Sequence, residues 1–174
     1  MEKLHPKAIW LFFFHLFFGS LIPNIFFVFW IVIFTSGVGV LGNENRYVAG
    51  PLIAGLYFVL NVVSYYVIAK LTYKYWRYEL EEDAFRKESG IIWKKYVSIP
   101  YERIQNVDIT RGILARILGF STLNVQTAGY SGGYQRGGMG TGMSEGHIPA
   151  VSKEAAEKIR VWVMHRITGK KSGL

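Results

Sequence analysis

The sequence predicts an α+β membrane protein, in which an N-terminal two-helix transmembrane hairpin precedes a small β-barrel of about seven strands capped by a C-terminal α-helix. Three observations predict this fold class. Residues 8–43 and 47–69 contain no Asp, Glu, Lys or Arg. From residue 73 onward, apolar and polar residues alternate in short runs separated by Gly or Pro, which is typical of strands and turns. The last apolar residues return to helical spacing.

Composition and charge restrict the kind of protein further. A chain of 174 residues with 51% hydrophobic residues is long enough for a membrane segment and one domain of about 100 residues. The net charge of +8 would indicate nucleic acid for a soluble protein. Beside a membrane anchor it fits attraction to anionic lipid at least as well, and no nucleic-acid partner is expected. The chain has no cysteine, which excludes disulfides and thiolate chemistry.

The first span is predicted over residues 8–36, after a basic leader at residues 1–7. A helix from Ala8 to Thr35 would be about 42 Å long, so it must tilt or bend, and Pro23 is the expected bend. One bent span and an interfacial helix up to Gly19 followed by a span from Pro23 both fit this pattern.

The second span is predicted over residues 47–69, within a hairpin that occupies residues 8–72. Asn24 and Asn61 are candidate interhelical polar contacts, either through a direct bond or with Asn24 capping the carbonyl that Pro23 leaves free. Tyr65 and Tyr66 are candidates for an aromatic belt at the membrane surface.

The distribution of lysine and arginine predicts the orientation of the hairpin. Basic residues precede the first span and follow the second, whereas the connecting loop carries one acidic and one basic residue. Both termini are therefore expected in the cytoplasm, with the protein in the plasma membrane as a multi-pass protein.

Residues 73–168 are predicted to form the β domain, with a frayed tail at residues 169–174. A glycine-rich loop is expected over residues 129–146, and the insert between Gly112 and Gly119 should pack Ile113, Leu114, Ile117 and Leu118 onto the sheet. The C-terminal helix is expected to begin after Ser152 as N-cap and to end near Ile167. The predicted strands are Tyr73–Leu80, Ala84–Lys87, Ile91–Ile99, Ile104–Arg111, Thr122–Thr127 and His147–Val151.

A central motif strengthens this interpretation. Its residues are Ile99, Pro100, Arg103, Ile104, Gln105, Val107, Gly112, Arg116, Gly119, Val125, Thr127, Ala128 and Gly129. This motif resembles the prokaryotic membrane-flanked pleckstrin-homology-like (PH-like) family, which includes YdbS-like proteins, and the Leu4-His5-Pro6 run is similar too. The resemblance implies two transmembrane helices before a cytoplasmic PH-like domain. The glycine-rich loop is longer than the family pattern.

The sequence favours no catalytic, cofactor-binding or metal site. Its four histidines lie far apart, it has only two aspartates, and it contains no HExxH or Cys/His pattern. Glu81–Asp83 is interpreted as a solvated turn. The glycine-rich loop lacks the GK[ST] of a phosphate-binding loop.

Five basic residues are the candidates for binding lipid or a partner: Lys94, Lys95, Arg103, Arg111 and Arg116. Four of them, Lys94, Lys95, Arg111 and Arg116, are expected to form a basic rim that faces the bilayer. The structural alternative is that Arg103 and Arg116 bind backbone carbonyls at strand ends.

The function expected from these features is that of a membrane-tethered, non-enzymatic binding or scaffolding module. It would bind a protein partner or a second copy of itself, with lipid contact secondary. One alternative is an accessory subunit of a multi-span transporter or channel. The other is recognition of anionic lipid headgroups by the basic rim.

Overall fold

The computed structural model describes residues 2–37, 46–127 and 146–171. The chain divides into two compact units. Phe12–Leu71 form the helical unit, and Met1–Leu11 together with Thr72–Leu174 form the β domain. Most of the predicted glycine-rich loop, the residues that connect the two predicted spans and the last three residues lie outside the described ranges.

Three helices occupy the apolar part of the chain: α1 (Ala8–Gly19), α2 (Leu21–Gly37) and α3 (Arg46–Tyr75). Among the described residues, α3 is the one helix that by itself is long and apolar enough to cross a membrane, over Val48–Tyr75. The α1–α2 pair qualifies as a second span if both helices together make one crossing. The α3 helix continues to Tyr75, so the prediction that a strand begins at Tyr73 is wrong.

The bend expected from Pro23 is present, and it lies at Ser20. There α1 and α2 meet at 51°. Pro23 stands in the first turn of α2 and has no N–H to donate to the Gly19 carbonyl, which its ring also crowds. The next carbonyl, that of Ser20, does have a backbone hydrogen-bond donor, because it accepts the Asn24 N–H at 2.9 Å.

The β domain contains seven described strands in two antiparallel sheets. The sheet orders are β1-β2-β3-β4 and β5-β6-β7. The described strands therefore do not form the expected closed barrel, because no strand of one sheet pairs with a strand of the other. A 3-10 helix at Tyr101–Arg103 lies between β4 and β5. The strands are β1 (Glu2–Lys3), β2 (Arg77–Leu80), β3 (Ala84–Ser89), β4 (Lys95–Pro100), β5 (Ile104–Thr110), β6 (Phe120–Thr127) and β7 (Gly146–Ser152).

The core is built from alternate strand positions and one face of the C-terminal helix α5 (Lys153–Lys171). The Ser152 Oγ accepts the Ala155 N–H at 3.1 Å, which confirms the predicted N-cap. The buried apolar residues of these elements include Phe85, Ile99, Val107, Phe120, Leu123, Val125, Ile148, Ala156, Ile159 and Val163.

Two predictions for the β domain are wrong. The strand expected from Ile91 begins only at Lys95, and Trp93 is 87% exposed because the chain bends sharply after Gly90, whose φ is +110°. Ile113 and Ile117, which were expected to pack on the sheet, are exposed. They lie on the six-residue helix α4 (Ile113–Leu118), in which Ala115 is buried instead.

The N-terminal leader has a role that its sequence does not reveal. Glu2 and Lys3 form β1, which pairs with Tyr78 and Arg77 of β2. Leu4 is buried, and the His5 N–H donates to the Ala150 carbonyl at 2.9 Å. Residues of the predicted leader thus pack with the β domain, and two of them form a strand of its sheet.

Candidate functional site

Lys94 and Lys95 lie at the connection from β3 to β4. The Lys94 Nζ is 3.1 Å from Glu88 Oε1. This hydrogen-bonded ion pair lowers the pKa of the Glu88 carboxyl and raises the pKa of Lys94. Both lysines are exposed, as a role at a surface requires.

Arg103 lies away from these two lysines. It belongs to the 3-10 helix that follows β4, whereas Lys95 begins that strand. A six-residue strand is about 17 to 20 Å long, so Arg103 lies beyond its opposite end. Arg103 therefore belongs to a different part of the surface from the two lysines.

Arg111 and Arg116 lie close together at α4. The Arg116 Nε donates to the Arg111 carbonyl oxygen at 3.4 Å. The Arg111 Nε donates to the Oγ of Ser121 at 2.7 Å, and Ser121 is fully buried. The backbone contact of Arg116 is of the kind that the structural alternative expects for it.

Arg111 also lines a groove between β5 and α5, here called the mixed-charge groove. It has a volume of about 540 Å³ and contains three basic and two acidic side chains. Its lining residues are Val107, Asp108, Ile109, Thr110, Arg111, Ser121, Lys153, Glu157 and Arg160.

Sequence reasoning missed the α5 side of this groove. Lys153, Glu157 and Arg160 follow a spacing of four and three residues, which places them on one face of a helix. This spacing is the feature of the sequence from which their common helix face could have been predicted. The Arg160 Nη1 lies 3.8 Å from Glu157 Oε2, so the two charges are neighbours along the groove wall.

Asn24 and Asn61 belong to one polar network in the helical unit. The Asn24 Nδ2 is 2.8 Å from the Tyr65 hydroxyl, and the Tyr57 hydroxyl donates to Asn24 Oδ1 at 2.8 Å. The Tyr65 hydroxyl also lies 3.2 Å from Asn61 Oδ1. The two asparagines are thus linked through Tyr65 rather than by the direct bond considered from sequence.

Two further contacts complete the network. The Asn24 Nδ2 donates to the Ser20 carbonyl at 2.8 Å, and the Asn61 Nδ2 donates to the Tyr57 carbonyl at 2.9 Å. Asn24 therefore does bind a carbonyl at the bend, one residue after the Gly19 carbonyl that Pro23 leaves free. An apolar cavity of about 410 Å³ adjoins the network, with Phe17, Phe29 and Phe58 among its walls.

The described part of the chain holds no group of three or more His, Cys, Asp or Glu side chains that could bind a metal ion. His147 is a partly buried histidine on β7. Its Nδ1 is 2.8 Å from the Asn124 Oδ1, and burial lowers its pKa, with a smaller contribution from the charge of Lys87. The ring packs beside β6 within the sheet.

Two small antiparallel sheets, a capping C-terminal helix and adjoining apolar helices define the class of PH-like domains joined to membrane-type helices. The family profile described as "Bacterial PH domain" matches residues 18–167, which include α2, α3 and nearly all of the β domain. The chain belongs to the bacterial PH domain family, which agrees with the resemblance noted in its central motif.

Two relatives come from Bacillus subtilis strain 168. The chain is 29% identical over 100 residues to the UPF0699 transmembrane protein YdbS, covering 58% of this chain and 54% of that protein. It is 28% identical over 161 residues to the UPF0699 transmembrane protein YdbT, covering 91% of this chain and 28% of that protein. The matches thus span about half of YdbS and less of YdbT. No solved structure is significantly similar.

Proposed function

We propose that this chain is a membrane-tethered, non-enzymatic PH-like module at the cytoplasmic face of the plasma membrane. Its β domain binds a protein partner or a second copy of the chain, and contact with lipid is secondary. The helices hold the domain at the bilayer surface, so the partner is bound there.

The pairing of β1 with β2 supports the two-span form of the tether. Lys3 pairs with Arg77 in antiparallel register, so the chain leaves β1 at the same end of the sheet at which it returns into β2. Both connections to the helices therefore start from one side, which requires an even number of crossings. In this proposal α1 and α2 cross once as a bent pair and α3 crosses back. YdbS and YdbT are both named as transmembrane proteins, which supports membrane attachment of this chain.

The mixed-charge groove is the observation that carries the choice of a protein partner. Arg111, Lys153 and Arg160 would attract a phosphate group, but Asp108 and Glu157 line the same space. Carboxylates repel an anionic headgroup, whereas a protein surface can offer charges of both signs. Ser121 also lines this groove, but its hydroxyl is buried and accepts a hydrogen bond from the guanidinium of Arg111. A guanidinium does not act as the base that would activate this hydroxyl as a nucleophile.

Site-specific photocrosslinking in cells tests this proposal. A photoreactive amino acid at Arg160, which lines the groove, should give one discrete protein adduct, either with a second copy or with another chain. The matched control is Lys158, which is exposed on the same helix but does not line the mixed-charge groove. Adducts of equal yield at both positions, or adducts with lipid alone at Arg160, would contradict the proposal.

The apolar cavity in the helical unit favours a second candidate function, that of an accessory subunit of a transporter or channel. A space of about 410 Å³ with aromatic walls is wide enough to receive side chains from a partner's membrane helix. Mild detergent purification distinguishes this candidate. A stoichiometric multi-span partner would support it, and a chain that purifies alone or as a homo-oligomer would contradict it.

A further inference from the structure

The connection between β3 and β4 presents two large apolar side chains to the surroundings. Ile92 is 83% exposed and Trp93 is 87% exposed, which makes them the two most exposed large hydrophobic side chains in the described part of the β domain. Single exposed apolar residues are common on protein surfaces, whereas contiguous exposed apolar side chains mark sites of interaction with proteins or membranes. Lys94 and Lys95 follow directly.

This connection, residues 90–95, has a defined shape and is called the apolar turn below. Gly90 adopts a φ of +110°, and a Cβ at this position would collide with the carbonyl oxygen of Trp93. The pairing of Ser89 with Lys95 closes the turn at its base. The ion pair of Lys94 with Glu88 ties the turn to β3. The backbone therefore holds the two apolar side chains outward.

The strand register shows at which end of the sheet this turn lies. Arg77, the first residue of β2, pairs with Glu88, next to the base of the turn. Lys3, the last residue of β1, also pairs with Arg77. Only Trp76 separates β2 from the end of α3 at Tyr75. The apolar turn thus lies at the end of the sheet where the chain passes into both apolar helical segments.

We propose that the apolar turn inserts into the headgroup region of an anionic bilayer, with Ile92 and Trp93 immersed and the lysines at the phosphates. This inference rests on the membrane tether proposed above. Tryptophan is enriched at membrane–water interfaces, and lysines are attracted to an anionic membrane surface. The charge of the turn and its continuity with the tether both favour lipid as its occupant.

Insertion of the turn would fix the orientation of the domain. Two chain connections alone leave the sheet free to rotate about the line that joins them. A third contact at the turn prevents that rotation and determines which face of the domain a partner can reach. The lipid contact would thereby position the mixed-charge groove without binding a specific headgroup.

Site-directed spin labelling of the full chain in nanodiscs of mixed phosphatidylcholine and phosphatidylglycerol tests the inference. The chain has no natural cysteine, so each label reports one position. The label is placed at Ile92→Cys, which keeps Trp93. The matched control is Glu82→Cys, which is exposed in the β2–β3 turn at the opposite end of the sheet. The Ile92 label should be several-fold less accessible to a water-soluble nickel chelate and more accessible to oxygen than the Glu82 label.

Two more variants separate the possible failures. A label at Val59→Cys, 56% exposed near the middle of α3, reports on the tether itself. A lipid-exposed Val59 label together with an Ile92 label as water-accessible as that at Glu82 would overturn the apolar turn alone. A water-accessible Val59 label would overturn the tether and the inference with it. Adding Trp93→Glu to Ile92→Cys should return the Ile92 label to water, and an unchanged depth would contradict a role for Trp93.

Discussion

Tyr101 connects three elements of the β domain through a single buried side chain. Its hydroxyl lies 2.9 Å from the carbonyl oxygens of both Glu81 and Ala84, and its ring meets Trp162 of α5 edge-on at 5.3 Å. Burial raises the pKa of the hydroxyl to about 12, so it remains protonated and able to donate at any physiological pH.

We expect Tyr101→Phe to lower the free energy of unfolding by about 1 kcal/mol, because two partly buried carbonyls lose their shared hydroxyl donor while the ring contact remains. Hydrogen exchange of the full chain in nanodiscs measures this change in the β2–β3 turn. Tyr101→Leu, which also removes the aromatic contact, should cost more. Equal protection in Tyr101→Phe and the unmodified chain would contradict the assigned role.

His147 should make the β domain sensitive to acid. Its folded pKa lies below the ordinary value of 6.5, because burial disfavours the charged ring. The unfolded chain therefore binds a proton more readily, and stability should fall as the pH drops below about 6.5. His147→Gln should reduce this loss, as measured by unfolding midpoints between pH 5 and 8. The exposed His165→Gln serves as control, and an equal effect of both variants would argue against His147.

At the scale of single elements, the start of α5 depends on one hydroxyl. Ser152 Oγ accepts the Ala155 N–H, and the helix then buries Ala156, Ile159 and Val163 against the sheets. Ser152→Ala should destabilise the β domain by about 1 kcal/mol, whereas Ser152→Asp, which keeps an acceptor at the N-cap, should not. Thermal unfolding of the two variants measures the difference. Similar midpoints for both would show that the cap is not needed.

The polar network should stabilise the packing of α2 on α3. Tyr65→Phe removes the hydroxyl that contacts both Asn24 and Asn61. We expect a loss of about 0.5 to 2 kcal/mol, the range found for hydrogen bonds between membrane helices. Unfolding in mixed detergent measures it, with the neighbouring, more exposed Tyr66→Phe as matched control. A loss of the same size in both variants would contradict the network's role.

Elements with strong local signals could be predicted from the sequence. The helix α5 has a cap and an apolar stripe, and Pro23 fixes the bend near Ser20, so both were expected close to where they occur. Features set by distant contacts could not be predicted. The two residues of β1 carry no strand signal and are extended because β2 offers them partners, and Trp93 fits the period-two pattern although Gly90 turns the chain away from the sheet.

The candidate site was only partly predictable for the same reason. Arg111 and Arg116 flank a short insert, so their proximity follows from the sequence. Lys153 and Arg160 approach Arg111 only because α5 packs across β5. Arg103 and Lys95 are both candidate binding residues, but the length of β4 separates them.

For the whole molecule, the pairing of β1 with β2 is the feature on which the proposed topology depends. A single-span anchor would place Lys3 and Arg77 on opposite sides of the bilayer, where they could not pair. The strand pairing therefore argues against a single crossing, and a test of sidedness tests the two crossings that we propose.

The most direct test is labelling of single cysteines by a membrane-impermeant maleimide in intact and permeabilised cells. We expect Glu82→Cys, in the β domain, to react only after permeabilisation, and Asn43→Cys, between the two predicted spans, to react in intact cells. That result would place the domain in the cytoplasm and the connection between the spans outside. Reaction of both positions under the same condition would contradict the two-span tether.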